Sequence, residues 1–252
     1  MISKARIKDI KSLHQPKFRQ MYDIFIAEGD KVCTELLKTP KYRIDSVFIV
    51  QDTLHKYEIL LEGLKEKTEI ISSREMEQIS ALKTTSDILL LLEVKEDNDN
   101  VLLKKGTSAI YLDGVQDPGN VGTIIRIADW YGIDALIRNN QCADFFNPKV
   151  VQATMGSLVN VDLITADYSK ILRSGKTLYG TFMDGVDINA VIIESDAILV
   201  MGSEGKGIST ELEKSIRNKI AINGSRSKIA ESLNVSVAAG IICERWKGGV
   251  YR

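Results

Sequence analysis

The stretch Ser232-Leu233-Asn234-Val235-Ser236-Val237-Ala238-Ala239-Gly240 sets two serines and an amide at the entrance to an apolar run. Strand and helix interiors rarely carry Ser and Asn so close together. A helix N-terminus that must hold backbone and ligand in place does, because these side chains satisfy the N–H groups that a first helical turn leaves unpaired. A final helix is therefore expected from Asn234.

Upstream of it, apolar runs and helical patterns alternate. Strands are expected at Ala109–Leu112, Ala135–Ile137, Val161–Leu163, Leu178–Met183, Ile198–Met201 and Ile220–Ile222. Helices are expected over 120–131, from Pro148 and shortly after Ser209. Such alternation implies an α/β fold with a mostly parallel sheet and helices on both faces. The polar run Lys95-Glu96-Asp97-Asn98-Asp99-Asn100 marks a seam after the strand-like Ile88-Leu89-Leu90-Leu91-Leu92. Before it, helical patterns over about 18–38, 54–66 and 75–82 alternate with runs such as Val47-Phe48-Ile49-Val50, a small α/β domain. The organisation read from this is a first domain over 1–97, a linker over 98–107 and a second domain over 108–252.

Two domains of this size can each bury a core, and 44% apolar with 27% charged residues is ordinary for soluble globular chains. No apolar run approaches a membrane span, and Met1-Ile2-Ser3-Lys4-Ala5-Arg6 runs straight into charge, so a cytoplasmic protein without membrane contact is expected. Cys33, Cys142 and Cys243 are odd in number and far apart, which points away from disulfides and cysteine metal sites. His14 and His55 both lie in the first domain, so the second has no histidine for a Ser-His-Asp triad or a metal. The net charge of −1 hides a basic start, where Lys4, Arg6, Lys8, Lys11, Lys17 and Arg19 face only Asp9. Such a segment either attracts a phosphate backbone or is a solvated helix face.

In parallel sheets ligands sit beyond the carboxyl ends of the strands. Three segments there have unusual composition: Asp113–Gly122, leading to Arg126 and Asp129; Gly202–Ser209; and the loop after Ile220-Ala221-Ile222 that ends in Ser232-Leu233-Asn234. Each also has an ordinary reading. Pro118-Gly119-Asn120 is a turn sequence, Asn120 could cap a helix, and Arg126 could pair with Asp129 or Asp134. Gly202, Gly205 and Gly207 do not have the spacing of a P-loop or a dinucleotide fingerprint, which disfavours a nucleotide-dependent oxidoreductase. Glycines also serve where backbone approaches backbone or ligand closely.

Taken together, Asn120-x-Gly122-x-x-x-Arg126, Leu199-Val200-Met201-Gly202-Ser203-Glu204-Gly205-x-Gly207-Ile208-Ser209 and Ser232-Leu233-Asn234-Val235-Ser236-Val237-Ala238 resemble, in order and spacing, the SpoU (TrmH-like) branch of the SPOUT RNA methyltransferases. Phe25-Ile26-Ala27-Glu28-Gly29 resembles the ribosomal-protein-like substrate-binding domain that precedes the catalytic domain in many members acting on ribosomal RNA. The resemblance implies methyl transfer from S-adenosylmethionine to a ribose 2′-hydroxyl of RNA, with ribosomal RNA favoured over transfer RNA. It also implies a homodimer through the C-terminal domain and a deep trefoil knot. Carried over residue by residue, Thr181, Gly202, Ile220 and Leu233 line the cofactor site, Arg126 is the catalytic arginine, and Asn120, Glu204, Ser232 and Asn234 are its polar support.

A guanidinium stays protonated in proteins, so Arg126 is expected to bind an RNA phosphate and orient the hydroxyl, with a phosphate oxygen or water accepting the proton. Glu204 is expected to anchor Arg126 or neighbouring amides. The chain departs from the family at Ala221, where proline is common, at Ser203, where asparagine is common, and in a longer 223–231 loop carrying Arg226 and Lys228. A knotted RNA-binding protein without catalysis is the alternative, against which Asn120, Arg126, Glu204 and Asn234 argue.

Overall fold

The computed structural model describes residues 2–94, 104–225 and 229–248. The seam Lys95–Asn100, most of the expected linker, and Arg226 and Lys228 lie outside the described residues. The chain divides into two compact units, one of Met1–Glu96 with Asp144–Val159, the other of Asp97–Ala143 with Asn160–Arg252.

The first unit contains α1 (Lys4–Ser12), α2 (Pro16–Tyr22), β1 (Ile24–Glu28), α3 (Asp30–Lys38), β2 (Ile44–Val50), β3 (Thr68–Ile71), α4 (Ser73–Ile79) and β4 (Ile88–Glu93). Its sheet runs β1-β4-β2-β3, antiparallel except between β2 and β3. Ile10, Ile26, Phe48, Met76, Ile79, Leu89 and Leu91 form a core beneath α1 and α4. Ser72 and Glu75 close a capping box on α4, and the Ile2 N–H adds a 2.8 Å bond to Glu75 Oε1.

The helix expected over 18–38 is instead α2, β1 and α3. Asp23 ends α2 in the left-handed region (φ 51°), and the apolar run after it pairs with β4, Ile26 opposite Leu91. Phe25, Ile26 and Ala27 are fully buried, and a short apolar run is where periodicity fails to separate strand from helix. The helix expected over 54–66 is replaced by a 3-10 turn, Gln51–Lys56, and further turns. Arg19 is not part of a basic face. It is 2% exposed, and its Nε and Nη2 donate to Asp144 Oδ2 (3.1 and 2.6 Å) while Nη1 donates to the Leu13 and His14 carbonyls (2.9 and 3.1 Å).

The chain between Asp144 and Val159 carries α6 (Pro148–Thr154), which packs on β1 and α3. Phe146 joins Phe25 and Tyr42 in an aromatic cluster, its ring 4.7 Å from that of Phe25.

The second unit contains β5 (Ala109–Asp113), α5 (Pro118–Trp130), β6 (Ala135–Arg138), β7 (Asp162–Thr165), α7 (Tyr168–Arg173), β8 (Leu178–Asp187), β9 (Ile198–Gly202), α8 (Thr210–Glu213), β10 (Asn218–Ala221) and α9 (Val235–Lys247). The six strands run β10-β8-β9-β5-β6-β7, and every pairing is parallel, so all carboxyl ends share one edge. The central β5 and β9 are buried almost throughout, as their unbroken apolar runs require. Tyr111, Ile137, Ile164, Ile198, Val200 and Leu212 belong to one core cluster.

β8 departs from regularity. Tyr179 and Gly180 pair with Asn218 and Lys219, but the next partners are Val186 and Asp187 with Ile220 and Ala221. Residues 181–185 therefore swing out between two pinned ends. Glycine permits the close approach, since a Cβ on Gly185 would sit 2.5 Å from the Ile220 carbonyl carbon.

Candidate active site

The segments after β5, β9 and β10 meet at the carboxyl edge of the second unit's sheet. After β5 the chain enters α5 with Asp117 as N-cap, its Oδ1 accepting the Asn120 N–H at 2.8 Å. Asn120 is thus not the cap, and its side chain is free for other partners. Its Nδ2 donates to Glu204 Oε1 (2.5 Å), and its Oδ1 accepts from Asn234 Nδ2 (3.0 Å).

Asn234 is the N-cap of α9, as its place before the apolar run predicts, its Oδ1 accepting the N–H groups of Ser236 and Val237. Buried Ser236 donates from Oγ to Asn234 Oδ1 at 2.6 Å and lies 3.4 Å from Asn120 Oδ1. With Asn120 Oδ1 turned toward Asn234, its amide nitrogen must face Glu204. One network therefore ties the starts of α5 and α9 to the segment after β9. Glu204 meets a side-chain amide here rather than Arg126.

Asp113, buried at the end of β5, supports the same edge. Its Oδ2 accepts the Ser209 N–H (2.7 Å), and its Oδ1 accepts from Asn139 Nδ2 (2.6 Å). The segment after β9 folds back on itself through a bridge between Ser203 and Gly207. Gly202 is indispensable to that fold, because a Cβ there would overlap the backbone of Gly207 and Ile208.

These elements enclose a cavity of about 500 Å³. Thr181, Gly202, Ile220 and Leu233 all line it, as do Glu204 and Ser232. Its walls are mainly apolar, with Met201, Ile222, Ala238 and Ile242 facing the outswung Phe182 and Met183. Phe182 is held under Lys219, whose Nζ lies 4.5 Å from the ring centroid and 2.5 Å from Glu213 Oε1; that hydrogen bond raises the Lys219 pKa. Asn223, also lining, donates to Asp187 Oδ2 (2.7 Å) and ties the segment after β10 to the end of β8. The Asn189 backbone N–H, and then this bond, hold the Asp187 carboxyl below its usual range. Volume and apolar walls suit a ligand of adenosyl size.

Arg126 is not among the lining residues. It is exposed on α5 and, among the described residues, its side chain makes no hydrogen bond or ion pair. The ordinary partners considered for it are engaged elsewhere, Asp129 with Asn160 and Asp134 with Ser108. Ser236, Asp113 and Asn139 are site-building residues that sequence reasoning did not single out, although Ser236 stands inside the stretch that opens α9. The bowed wall of β8 beyond Thr181 had no signal in the sequence.

Comparison with known proteins finds relatives over both parts of the chain. The family model of the MRM3-like substrate binding domain matches residues 4–90. A 23S rRNA (guanosine(2553)-2′-O)-methyltransferase, RlmP, of Bacillus subtilis is 29% identical over 96% of each chain. A TrmH-family structure from Porphyromonas gingivalis is 32% identical, covers 99% of both chains and superposes with a TM-score of 0.84. An AdoMet-bound rRNA methyltransferase from Sinorhizobium meliloti is 25% identical, covers 97% of this chain and 95% of its own, and has a TM-score of 0.86. The SpoU rRNA Methylase family model matches residues 107–244, more than half of the sequence, and the chain belongs to that family.

Proposed function

We propose that this chain transfers a methyl group from S-adenosylmethionine to a ribose 2′-hydroxyl of ribosomal RNA. The observation that carries the reading is the meeting of Asn120, Glu204, Asn234 and Ser236 at a cavity lined by Thr181, Gly202, Ile220, Leu233 and Ser232. When bound, the cofactor supplies a sulfonium methyl.

The chain's own task is positioning, because methyl transfer needs the oxygen in line with the breaking bond. After the bonds described, the Asn120 and Asn234 amides each keep one N–H for ribose oxygens. Glu204 fixes which way Asn120 points, and Ser232 offers a hydroxyl beside them. Arg126 grips a neighbouring phosphate with its fork and orients the hydroxyl, whose proton leaves to a phosphate oxygen or water.

Arg126 stands six residues beyond Asn120, about 9 Å along the helix and about 120° around it. It reaches the reaction as part of a homodimer. Support comes from exposed apolar residues on the two helices that pack together: Trp130, one turn after Arg126 on α5, and Val237 and Ile241 on α9. The C-terminal segment is read as knotted, as the resemblance to the family implies.

The Bacillus subtilis relative acts on 23S rRNA by its name, which makes large-subunit RNA the first substrate to test. Mapping 2′-O-methyl positions in RNA from cells with and without the protein should reveal one lost ribosomal position. Identical maps, together with no methyl incorporation by purified protein into unmodified ribosomal RNA, would refute the reading.

A further inference from the structure

The cavity has few charges of its own. Among the described residues, Glu204 is the one charged side chain that lines it, and its carboxylate is taken up by Asn120. A cation stands against the wall nonetheless. Lys219 directly precedes Ile220, a lining residue, and its Nζ lies 4.5 Å from the ring centroid of Phe182, another. The ring is lodged in place. It packs against the core that includes Ile216, and a Cβ on Gly180 would sit 2.7 Å from its Cε2.

An ammonium in that place acts on whatever fills the cavity, because apolar walls screen charge far less than water does. Two carboxylates answer it. The hydrogen bond from Nζ to Glu213 Oε1, and then the charges of Glu213 and Asp184, favour the protonated amine. Asp184 is exposed on the outswung segment, two residues after Phe182. The cluster is thus balanced or slightly negative where a bare lysine would be positive. As a brace the pair is worth little, since both partners are more than a third exposed. Its position against the cavity wall gives it another consequence. S-adenosylmethionine carries a sulfonium cation, and the product left after methyl transfer does not. Apolar contacts treat the two nearly alike, whereas a neighbouring charge separates them.

We propose that Phe182, Lys219 and Glu213 set the cofactor preference of the cavity. The ring is a wall shared by cofactor and product. The Glu213 carboxylate cancels the ammonium against that wall, so that the sulfonium form is not repelled in favour of the spent one. The proposal rests on the reading that the cavity takes S-adenosylmethionine. It goes further in assigning discrimination between the cofactor and its product to an ion pair outside the lining.

The test is isothermal titration calorimetry of the full chain, without RNA, against S-adenosylmethionine and S-adenosylhomocysteine at low and high salt. Glu213→Gln uncovers the ammonium and should weaken S-adenosylmethionine relative to S-adenosylhomocysteine by about threefold. Lys219→Gln should shift that ratio about threefold the other way, and Glu213→Gln/Lys219→Gln should return it close to wild type. Both shifts should shrink at high salt. Opposite signs are the signature, because loss of a structural brace would move the ratio the same way in both variants or leave it alone. Phe182→Ala should weaken both ligands about tenfold without changing the ratio, and Phe182→Leu, which keeps an apolar wall, should lose less. Ratios that stay put, or move in one direction in both charge variants, overturn the proposal, as does wild-type affinity in Phe182→Ala. In each of those cases binding of S-adenosylmethionine by wild type would leave the cofactor reading standing. A wild-type protein that binds neither ligand would remove that reading and the proposal with it.

Discussion

Arg19 and Arg126 show how differently one residue type can be used in two regions of a chain. Arg19 lies inside the first unit with its fork filled by Asp144 and two carbonyls. The Arg126 side chain stands exposed on the second unit with no hydrogen bond or ion pair among the described residues. A buried guanidinium whose donors are satisfied holds structure, and removing it leaves its partners unpaired. An exposed one costs the fold little and keeps its donors for a ligand. The same contrast separates Glu75, committed to a helix start, from Glu204, committed to another site residue.

The largest effect should come from Arg126→Ala, which is expected to lower kcat by about a hundredfold or more while leaving the urea unfolding midpoint in place. Arg126→Lys is the sharper probe, since near-normal turnover would show that the forked geometry is not needed. Arg19→Met should do the opposite. It is expected to lose about 2–3 kcal/mol of stability, discounted because Asp144 is 25% exposed, with turnover per folded molecule unchanged. A stable but inactive Arg19→Met protein would break the comparison.

Glu204→Gln should reduce kcat about threefold to tenfold, as a charged acceptor for Asn120 becomes a neutral one; full activity would exclude an ionic anchor. The smallest effect concerns Glu75, which the Ser72 backbone and hydroxyl and the Ile2 N–H hold down to a pKa of about 2. A carboxyl depressed on folding stabilises above its ordinary pKa, and the contribution disappears as pH falls toward that lower value. Glu75→Gln should therefore melt below wild type at neutral pH and approach it near pH 2. An equal gap at both pH values would show that the charge plays no part.

Much of the second unit was legible because its signals are local. β5 and β9 are unbroken apolar runs, and Asn234 caps α9 as its side chain and position require. The first unit was harder to read. β1 is five residues long and apolar, so its identity as a strand comes from pairing with β4, far along the chain. Arg19 reads as one cation among six in the first twenty residues, and its partner Asp144 lies 125 positions away. Within the site, the reach of Asn120 toward Glu204 depends on Asp117 taking the cap, a choice between two adequate capping residues that only the helix register decides. The five residues that swing out of β8 follow from a jump in pairing with β10, which no pattern within β8 announces.

The placement of α6 has a practical meaning for dissecting the protein. The units do not follow one another along the sequence, because the chain leaves the second unit after Ala143 and rejoins it at Asn160. A fragment cut at the seam would carry Val150 and Val151, both buried in the whole chain, without the strand and helix on which α6 packs. The matching N-terminal fragment would bare β1 and strip Arg19 of its carboxylate. Gene fusions or truncations that treat the halves as interchangeable cassettes should therefore yield sticky, poorly folded pieces; replacing 144–159 by a short polar bridge would relieve the C-terminal piece, and the N-terminal one needs 144–159 kept with it.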